Sequence, residues 1–460
     1  MNTDNLFVVV DRWFHILVVP RAEERTPLTW RNAPILLLPF MPLLAMAYLA
    51  RRPNTLLLRA LCFPLVLMST TRIFFGYYFT SPGANEINWA MGMLAIYCLS
   101  RAAELCFVPK GRFKIGETAE TLGRVGIPAI ERENRKILQI PNGSNGSLAN
   151  GSSCMKRSNG SSPRAANGFS RGLRDALELL CAVRGIGWDF GTGTSLKVPS
   201  PTRPLEKAAY MRVTIRVVFI CFVALDALES FLKLWPGVGS PRASLPFYPT
   251  CMSDAWDKQP RAQVETPLSL WHTYALSTLL HTATGFAFVA GFEMCYGISS
   301  LVGVGLLGHQ PASWPPFPPQ TFLVMGGYPV SFVFALLKIP GGTRLGFVLG
   351  SFAASGAFHD FGMYAMGRGL DSRVFWFFFG QGILIIAEHA FRKITGRRVG
   401  GVWGRVWTIS VIFLGGQPLV DSWHKRGLAG GMIIPAFVSP TRQLLWPLVR
   451  SAWGTFGCSR

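Results

Sequence analysis

The sequence predicts an all-α protein, a polytopic transmembrane helical bundle of about 8 to 11 membrane helices with a long flexible cytosolic loop. Three observations carry this prediction. Half of the 460 residues are hydrophobic and only 15% are charged, well below the roughly 25% of soluble domains. Apolar runs of about 20 residues, the length that crosses a bilayer, recur along most of the chain. Between residues 141 and 168 a single Gly/Ser/Asn-rich stretch interrupts them, and its composition cannot bury a core.

The apolar runs define ten candidate spans and one shorter piece. The spans lie at 34–50, 54–75, 87–108, 212–232, 269–290, 292–308, 320–338, 345–366, 373–391 and 402–420, and the shorter piece lies at 428–438. We therefore divide the chain into three regions. N-terminal transmembrane helices occupy residues 1–108, a cytosolic loop with an amphipathic helix occupies 109–211, and a second group of transmembrane helices occupies 212–460.

Neither a cleaved secretory leader nor a disulfide or zinc framework is indicated. The N-terminal run LFVVVDRWFHILVVP is interrupted by Asp11 and Arg12 and is followed by no small-residue cleavage site, so we interpret it as an interfacial or half-inserted helix. The nine cysteines show no CxxC spacing, and several fall inside apolar spans. We expect no metal site and no permanently bound cofactor.

The formal net charge of +21 is concentrated in the connections between spans. The positive-inside rule assigns such loops to the cytosol. Because the cations are not laid along one solvated domain, we expect membrane lipid of anionic character as the partner, and no nucleic acid. The basic residues concerned are Arg51 and Arg52, then Lys110, Arg112 and Lys114, then Arg392, Lys393, Arg397 and Arg398.

After the polar stretch, the segment SRGLRDALELLCAVRGIGWDFG predicts an amphipathic helix that ends at Gly185 or Gly187. We expect this helix to lie on the membrane surface, with its charged side chains turned outward. The apolar face comprises Leu173, Ala176, Leu177, Leu180 and Cys181, and the outward residues are Arg171, Arg174 and Asp175.

His359 is the ionisable residue with the most suggestive surroundings inside a predicted span. A neutral imidazole can lie in an apolar tunnel and still accept a proton from a hydroxyl, as a general base must. Ser355 and Gly356 lie one turn before it on the same helical face, which leaves room for a substrate channel. The alternative is that the small residues serve helix packing, because GFVLG at 346–350 is a GxxxG pattern.

The next span carries a second polar stripe. Gln381 and Glu388 are seven residues apart and therefore share a helical face. They either line a substrate cavity or form structural hydrogen bonds. Among the other intramembrane ionisable residues, Asp226 and Glu229 are expected to be paired or near an interface, and His281 is expected to be a hydrogen-bonding residue within the bundle.

Four stretches in sequence order resemble the fungal wax-synthase-like branch of the membrane-bound O-acyltransferases. They are RGIGWDF, which contains Arg184 and Trp188; WPPF, which contains Trp314, Pro315 and Pro316; SGAFH, which ends at His359; and FFFGQGILIIAE, which contains Gln381 and Glu388. The likeness covers roughly residues 175–440. It implies a multi-pass endoplasmic-reticulum enzyme that moves an acyl group from acyl-coenzyme A to a hydroxyl, with His359 as the membrane histidine.

The same resemblance sets the substrate and the alternatives. It implies acetyl-coenzyme A as co-substrate and a lipophilic terpenoid or other secondary metabolite as the alcohol, whereas the plant relatives esterify long-chain alcohols. The chain departs from the family in one respect, because residues 318–354 contain neither tryptophan nor histidine where the family has an FWxxxWH-type segment. The plant relatives give a long-chain alcohol wax-ester synthase as one alternative. The missing segment gives the other, a catalytically impaired homologue acting as a scaffold or transporter.

Overall fold

The computed structural model describes residues 19–21, 24–114, 117, 168–182, 188–190, 204–233, 269–309, 311, 314, 326–367, 369–431, 433–445 and 447. Most of the N-terminal run and of the polar stretch lies outside these residues, as do Arg184, Pro315 and Pro316. The chain forms two compact units. The larger unit comprises Met1–Pro39, Val66–Ser100 and Ser200–Arg460, and the smaller unit comprises Phe40–Leu65 and Arg101–Pro199.

The described part of the chain is mostly helical. Two short parallel strands, β1 (Thr26–Pro27) and β2 (Tyr77–Tyr78), pair in the larger unit. A π-helical turn at Val302–Leu306 extends helix α6. The α-helices are α1 (Phe40–Ala50), α2 (Leu56–Phe74), α3 (Asn85–Phe107), α4 (Gly168–Cys181), α5 (Lys207–Lys233), α6 (Leu270–Leu301), α7 (Tyr328–Leu336), α8 (Gly342–Tyr364), α9 (Ser372–Thr395), α10 (Gly401–Gly415) and α11 (Gln417–Lys425).

Five helical segments among the described residues are long and apolar enough to cross a membrane. The prediction of a mostly helical, apolar chain is thus confirmed at this level. Helices α5 and α8 occupy the predicted spans 212–232 and 345–366 and lie outside this set of five. The five segments are Ala33–Ala50, Leu56–Phe74, Asn85–Phe107, Leu270–Leu306 and Ser372–Thr395.

Helix α6 corrects the prediction of separate spans at 269–290 and 292–308, because one continuous helical segment covers both. The boundary between them holds Gly291 and no proline. A single glycine weakens a helix by about 1 kcal/mol and does not end it. Here a side chain at Gly291 would lie 3.9 Å from the Leu225 side chain of α5, so the residue falls inside the α5–α6 contact.

The prediction of one span at 402–420 is also wrong, because these residues form parts of two helices. Helix α10 ends at Gly415 and α11 begins at Gln417. Pro418 lies in the first turn of α11, where its missing N–H costs nothing, whereas in a continuous helix it would remove a hydrogen bond. The apolar piece at 428–438 forms turns and no helix in its described residues, consistent with Gly430, Gly431 and Pro435.

Helix α4 of the smaller unit packs against α1, and its buried face differs from the predicted one. Ala176 and Leu179 are fully buried, whereas Leu177 is 49% exposed. A side chain at Gly172 would lie 2.7 Å from the Tyr48 ring. Asp175, expected to point outward, is half-buried because it faces basic side chains of this unit. The helix ends at Cys181, before the predicted Gly185 or Gly187.

The larger unit has an apolar core to which helices α5, α6, α8, α9 and α11 contribute, and α8 packs closely on its neighbours. A side chain at Gly346 would come within 2.7 Å of the Val330 carbonyl oxygen of α7. The GxxxG pattern therefore brings α7 and α8 together. The core residues are Leu232, Leu280, Ala283, Met363, Met366, Val374, Leu419, Val420, Trp423 and Leu428, with Phe377 and Phe378 packed against them.

The buried carboxylates of α5 hold the segment that follows α11, which includes a π-helical turn at Thr441–Leu445. Glu229 accepts a hydrogen bond from the Ile434 backbone N–H at 3.1 Å and pairs with Arg442 at 2.7 Å and with Lys233. Asp226 accepts from the Thr441 backbone N–H at 2.8 Å. Glu229 is therefore paired with cations, as expected from the cost of an unpaired charge in an apolar bundle. Asp226 has only the backbone hydrogen bond, and its Oδ1 has no partner among the described residues.

Candidate active site

The imidazole of His359 is fixed in one tautomer by its own helix. Its Nδ1 lies 2.7 Å from the carbonyl oxygen of Ser355, one turn earlier in α8. A carbonyl oxygen can only accept, so Nδ1 carries the proton and donates. In the neutral ring the in-plane lone pair is therefore on Nε2. This is the tautomer in which Nε2 can accept a proton from a hydroxyl group.

The orientation of the same ring is fixed by helix α9. The imidazole of His359 stacks on the ring of Phe378 with centroids 4.0 Å apart and planes 18° from parallel. Phe358 contacts it edge-on at 5.5 Å. His359 is half-buried, whereas Ser355 and Gly356 are buried. Two rings and one backbone hydrogen bond thus hold the imidazole of His359 in place.

The space beside the small residues near His359 is occupied by neighbouring helices. A side chain at Gly356 would lie 2.9 Å from the carbonyl oxygen of Phe375 in α9. A side chain at Gly362 would lie 2.8 Å from the sulfur of Met93 in α3. Both glycines therefore allow close helix packing, which is the alternative that the sequence left open. Ser355 takes part in the site through its backbone carbonyl.

The two polar residues predicted on α9 are separated by the structure. Gln381 is half-buried and lies one turn after Phe378 on the same face of α9, so it is the predicted residue nearest to the stacked pair along that helix. Glu388 is exposed and accepts a hydrogen bond from the indole N–H of Trp407 at 2.7 Å. Ten residues separate it from Phe378, about 15 Å along the helix axis. Glu388 is therefore not part of the His359 site.

Trp314 of the WPPF motif lies in the larger unit against the end of α6. Its ring covers Gly303 in the π-helical turn and packs against Tyr296 with centroids 5.9 Å apart. Its indole N–H is buried and has no hydrogen-bond partner among the described residues. Glycine at 303 is required there because any side chain would collide with the indole.

Trp188 of the RGIGWDF motif is a buried anchor of the smaller unit. It is 1% exposed and pairs its backbone with Lys114 in an isolated antiparallel bridge. The guanidinium carbon of Arg51 lies 4.9 Å from the centre of its ring, and the Lys114 ammonium lies 5.6 Å from it. Cations held over an aromatic face in this way stabilise the contact electrostatically.

The basic residues around Trp188 are paired with carboxylates of their own unit. Arg51 pairs with Glu117 at 2.8 Å and with Asp175 at 3.3 Å. Lys114 pairs with Asp175 at 3.1 Å. Arg112 pairs with Glu104 at 2.7 Å. The sequence assigned these cations to lipid, and the structure shows that their charges are compensated internally.

A charged network missed by the sequence interpretation closes the hairpin formed by α8 and α9. Asp360, next to His359, accepts a hydrogen bond from the Asp371 backbone N–H at 2.8 Å. The Asp371 carboxylate caps α9 and pairs with Arg373 at 2.6 Å and with Arg426 at 3.5 Å. Burial raises the pKa of Asp371, but hydrogen bonds from Arg373 and Ser422 outweigh it and hold the pKa below its usual value.

Two further imidazoles, those of His281 and His424, lie at the contact between α6 and α11. His424 is fully buried, and its Nε2 lies 3.1 Å from the hydroxyl of Thr284. That hydroxyl donates to the Leu280 carbonyl, so His424 Nε2–H is the donor. His281 packs beside Gly416 and edge-on against Phe413. Its Nδ1 is buried and has no hydrogen-bond partner among the described residues, so the predicted hydrogen-bonding role is not found at this atom. His424 was not foreseen, because nothing in its sequence surroundings distinguishes it.

Within the described ranges, no group of three or more His, Cys, Asp or Glu side chains is arranged to hold a metal ion. Compared with known proteins, the chain matches no family model, no curated protein and no solved structure. The candidate site therefore depends on its own geometry, which is a neutral imidazole of fixed tautomer held between two packed helices of an apolar bundle.

Proposed function

We propose that the chain is an acyl-coenzyme A-dependent O-acyltransferase of the endoplasmic-reticulum membrane that transfers an acetyl group to the hydroxyl of a lipophilic alcohol. The observation that carries the proposal is the His359 tautomer, because the hydrogen bond to Ser355 directs the basic nitrogen away from the helix backbone. The four motif stretches in sequence order support the acyl donor and the alcohol class.

In the proposed reaction, Nε2 of His359 accepts the hydroxyl proton as the alcohol oxygen attacks the thioester carbonyl carbon. The C–S bond then breaks, and the thiolate of coenzyme A leaves and takes the proton from the imidazolium. The products are the ester and free coenzyme A. A positioned base of this kind contributes typically about 10² to 10⁴ in rate. Holding the alcohol and the thioester together in a dry site contributes further through orientation.

The test uses microsomes that contain the full chain, labelled acetyl-coenzyme A and a panel of hydrophobic alcohols. Ester formation should fall by at least about 10²-fold in His359→Ala. His389→Ala is the matched control, because His389 is an exposed histidine on the neighbouring helix α9. Ester formation that survives His359→Ala refutes the assigned base. If no ester forms with any donor, including long-chain acyl-coenzyme A, the proposed acyltransferase activity is refuted and a role as scaffold or transporter is favoured.

A further inference from the structure

The connection between α9 and α10 is a strongly basic tip. We define the basic tip as residues 392–405, which contain Arg392, Lys393, Arg397, Arg398 and Arg405 and no acidic residue. All five of these side chains are exposed. None of them forms an ion pair with a described carboxylate, in contrast to the cations around Trp188. The acidic residue closest to the tip in sequence, Glu388, is bonded to Trp407.

The basic tip includes a turn that is defined by two glycines. Helix α9 ends at Thr395 and is capped by Gly396 in the left-handed conformation, with φ of 70°, and Gly401 at the start of α10 has φ of 63°. Residues with a side chain rarely adopt such angles, so two glycines fix both ends of the turn. The cations of Arg397 and Arg398 are therefore concentrated in a connection of five residues, 396–400, between two helices.

Apolar and aromatic side chains surround these cations. Ile394 is 84% exposed and Trp403 is 80% exposed. Trp407 follows Trp403 by one helical turn, so the two indoles lie on one face of α10. Tryptophan is enriched where a membrane meets water, because its ring is apolar and its N–H is polar. Cations beside exposed tryptophans are the pattern expected at the level of lipid headgroups.

We propose that the basic tip binds the headgroups of anionic phospholipids. The phosphate and carboxylate groups of such a lipid supply the negative charge that the described part of the chain does not. Each arginine or lysine near an anionic membrane surface strengthens binding by about fivefold. The inference is independent of the proposed acyl transfer, because its readout is lipid association.

The test reconstitutes the full chain in vesicles that contain brominated phosphatidylserine or brominated phosphatidylcholine and measures quenching of tryptophan fluorescence. Trp403→Phe identifies the part of the signal that comes from the tip. The charge-neutral variant is Arg392→Gln/Lys393→Gln/Arg397→Gln/Arg398→Gln. The matched control is Lys338→Gln/Arg344→Gln, which removes an exposed cation from the connection after α7 and another from the first turn of α8.

In the wild type, brominated phosphatidylserine should quench the tryptophan fluorescence of the basic tip more strongly than brominated phosphatidylcholine does. The association of phosphatidylserine relative to phosphatidylcholine should fall at least fivefold in the charge-neutral variant and in high salt. The control should match the wild type. Equal quenching by the two lipids in the wild type overturns the proposal. Displacement of phosphatidylserine by free coenzyme A at millimolar concentration also overturns it, because the tip would then be a nucleotide-phosphate site.

A purely structural role of the tip is tested separately. Arg392 and Lys393 lie in the last turn of α9, where cations stabilise the helix end. The double variant Arg397→Gln/Arg398→Gln leaves that helix end intact. A loss of phosphatidylserine association in this variant supports the lipid site. Unchanged lipid association there, with a lowered melting temperature of the quadruple variant in neutral lipid, assigns the cations to helix stability and refutes the proposal.

Discussion

The imidazole of His359 and the ring of Phe378 lie face to face across the α8–α9 contact, 4.0 Å apart at their centroids. This stack and the hydrogen bond from Nδ1 to Ser355 restrict both torsion angles of the histidine side chain. A base that is held in place before binding loses less freedom in the transition state. Phe378 is therefore a positioning residue for His359 in the proposed reaction.

Replacing Phe378 by leucine should lower kcat by about 10- to 100-fold because the imidazole is no longer held in its orientation. The KM for acetyl-coenzyme A should change little. Steady-state kinetics in microsomes measure both constants, and Phe378→Tyr should retain most of the activity because it keeps the ring. Phe391→Leu, at a residue that is 46% exposed on the same helix, is the control. A wild-type kcat in Phe378→Leu would show that the stack is not needed.

Replacing Gly356 by alanine should destabilise the α8–α9 contact by about 1–3 kcal/mol, because its new methyl group would lie 2.9 Å from the Phe375 carbonyl oxygen. The melting temperature of the purified protein in detergent measures the effect. Gly380→Ala is the matched control, since a side chain there meets nothing within 4 Å. Alanine at 380 should be neutral or stabilising, because it favours the helix. Equal melting temperatures for the two variants would contradict the packing role of Gly356.

Removing the charge of Asp371 should weaken the closure of the α8–α9 hairpin. Asp371→Asn is expected to cost about 2 kcal/mol, because hydrogen bonds to a charged group are lost. The folded protein lowers the pKa of Asp371, so the stabilisation is present above its unfolded pKa of about 3.9 and is lost as the pH falls below that value. Melting temperatures measured from pH 6 to pH 3 should fall more steeply in the wild type than in Asp371→Asn. Parallel curves would exclude this contribution.

Replacing Arg51 by methionine should destabilise the smaller unit by about 3–5 kcal/mol, because the buried Glu117 loses its cationic partner and Asp175 keeps only Lys114. Chemical unfolding followed by tryptophan fluorescence measures the loss. Adding Glu117→Gln to the same chain should recover part of it, since one buried charge is then removed. Lys110→Met, at an exposed cation of the same unit, should have little effect. An Arg51→Met protein as stable as the wild type would show that the pairs are not stabilising.

The sequence was informative where local rules decide the structure. The apolar, mostly helical class follows from composition and run length, and the helices over 54–75, 87–108, 345–366 and 373–391 are found close to those limits. The same rules failed at α6, because a lone glycine does not reveal whether a helix continues through it. They also failed at α10 and α11, where Pro418 begins a new helix inside an apolar run.

The candidate site was predicted only in part. His359 could be found because a histidine inside an apolar run is unusual, and Ser355 follows from helical spacing. Phe378 and the Asp371–Arg426 pair could not be found, because residues 19 and 55 positions apart meet only through tertiary packing. For the same reason the prediction that Asp175 of α4 points outward was wrong, since periodicity does not reveal which basic residues a helix will contact.

If the chain spans a membrane as proposed, the continuity of α6 changes the number of crossings between the start of α5 and the basic tip. If residues 269–308 formed two spans, six crossings would separate these two points, counting α5 itself. Because they form one span, five crossings remain if α7 also crosses. The nine described residues of α7 reach about 14 Å, less than half of a hydrocarbon core of about 30 Å. If α7 instead enters and leaves through the same leaflet, four crossings remain, and the cationic start of α5 shares a compartment with the tip. A cysteine at His309 would then react with impermeant reagents from the tip's side, whereas six crossings would put it on the other.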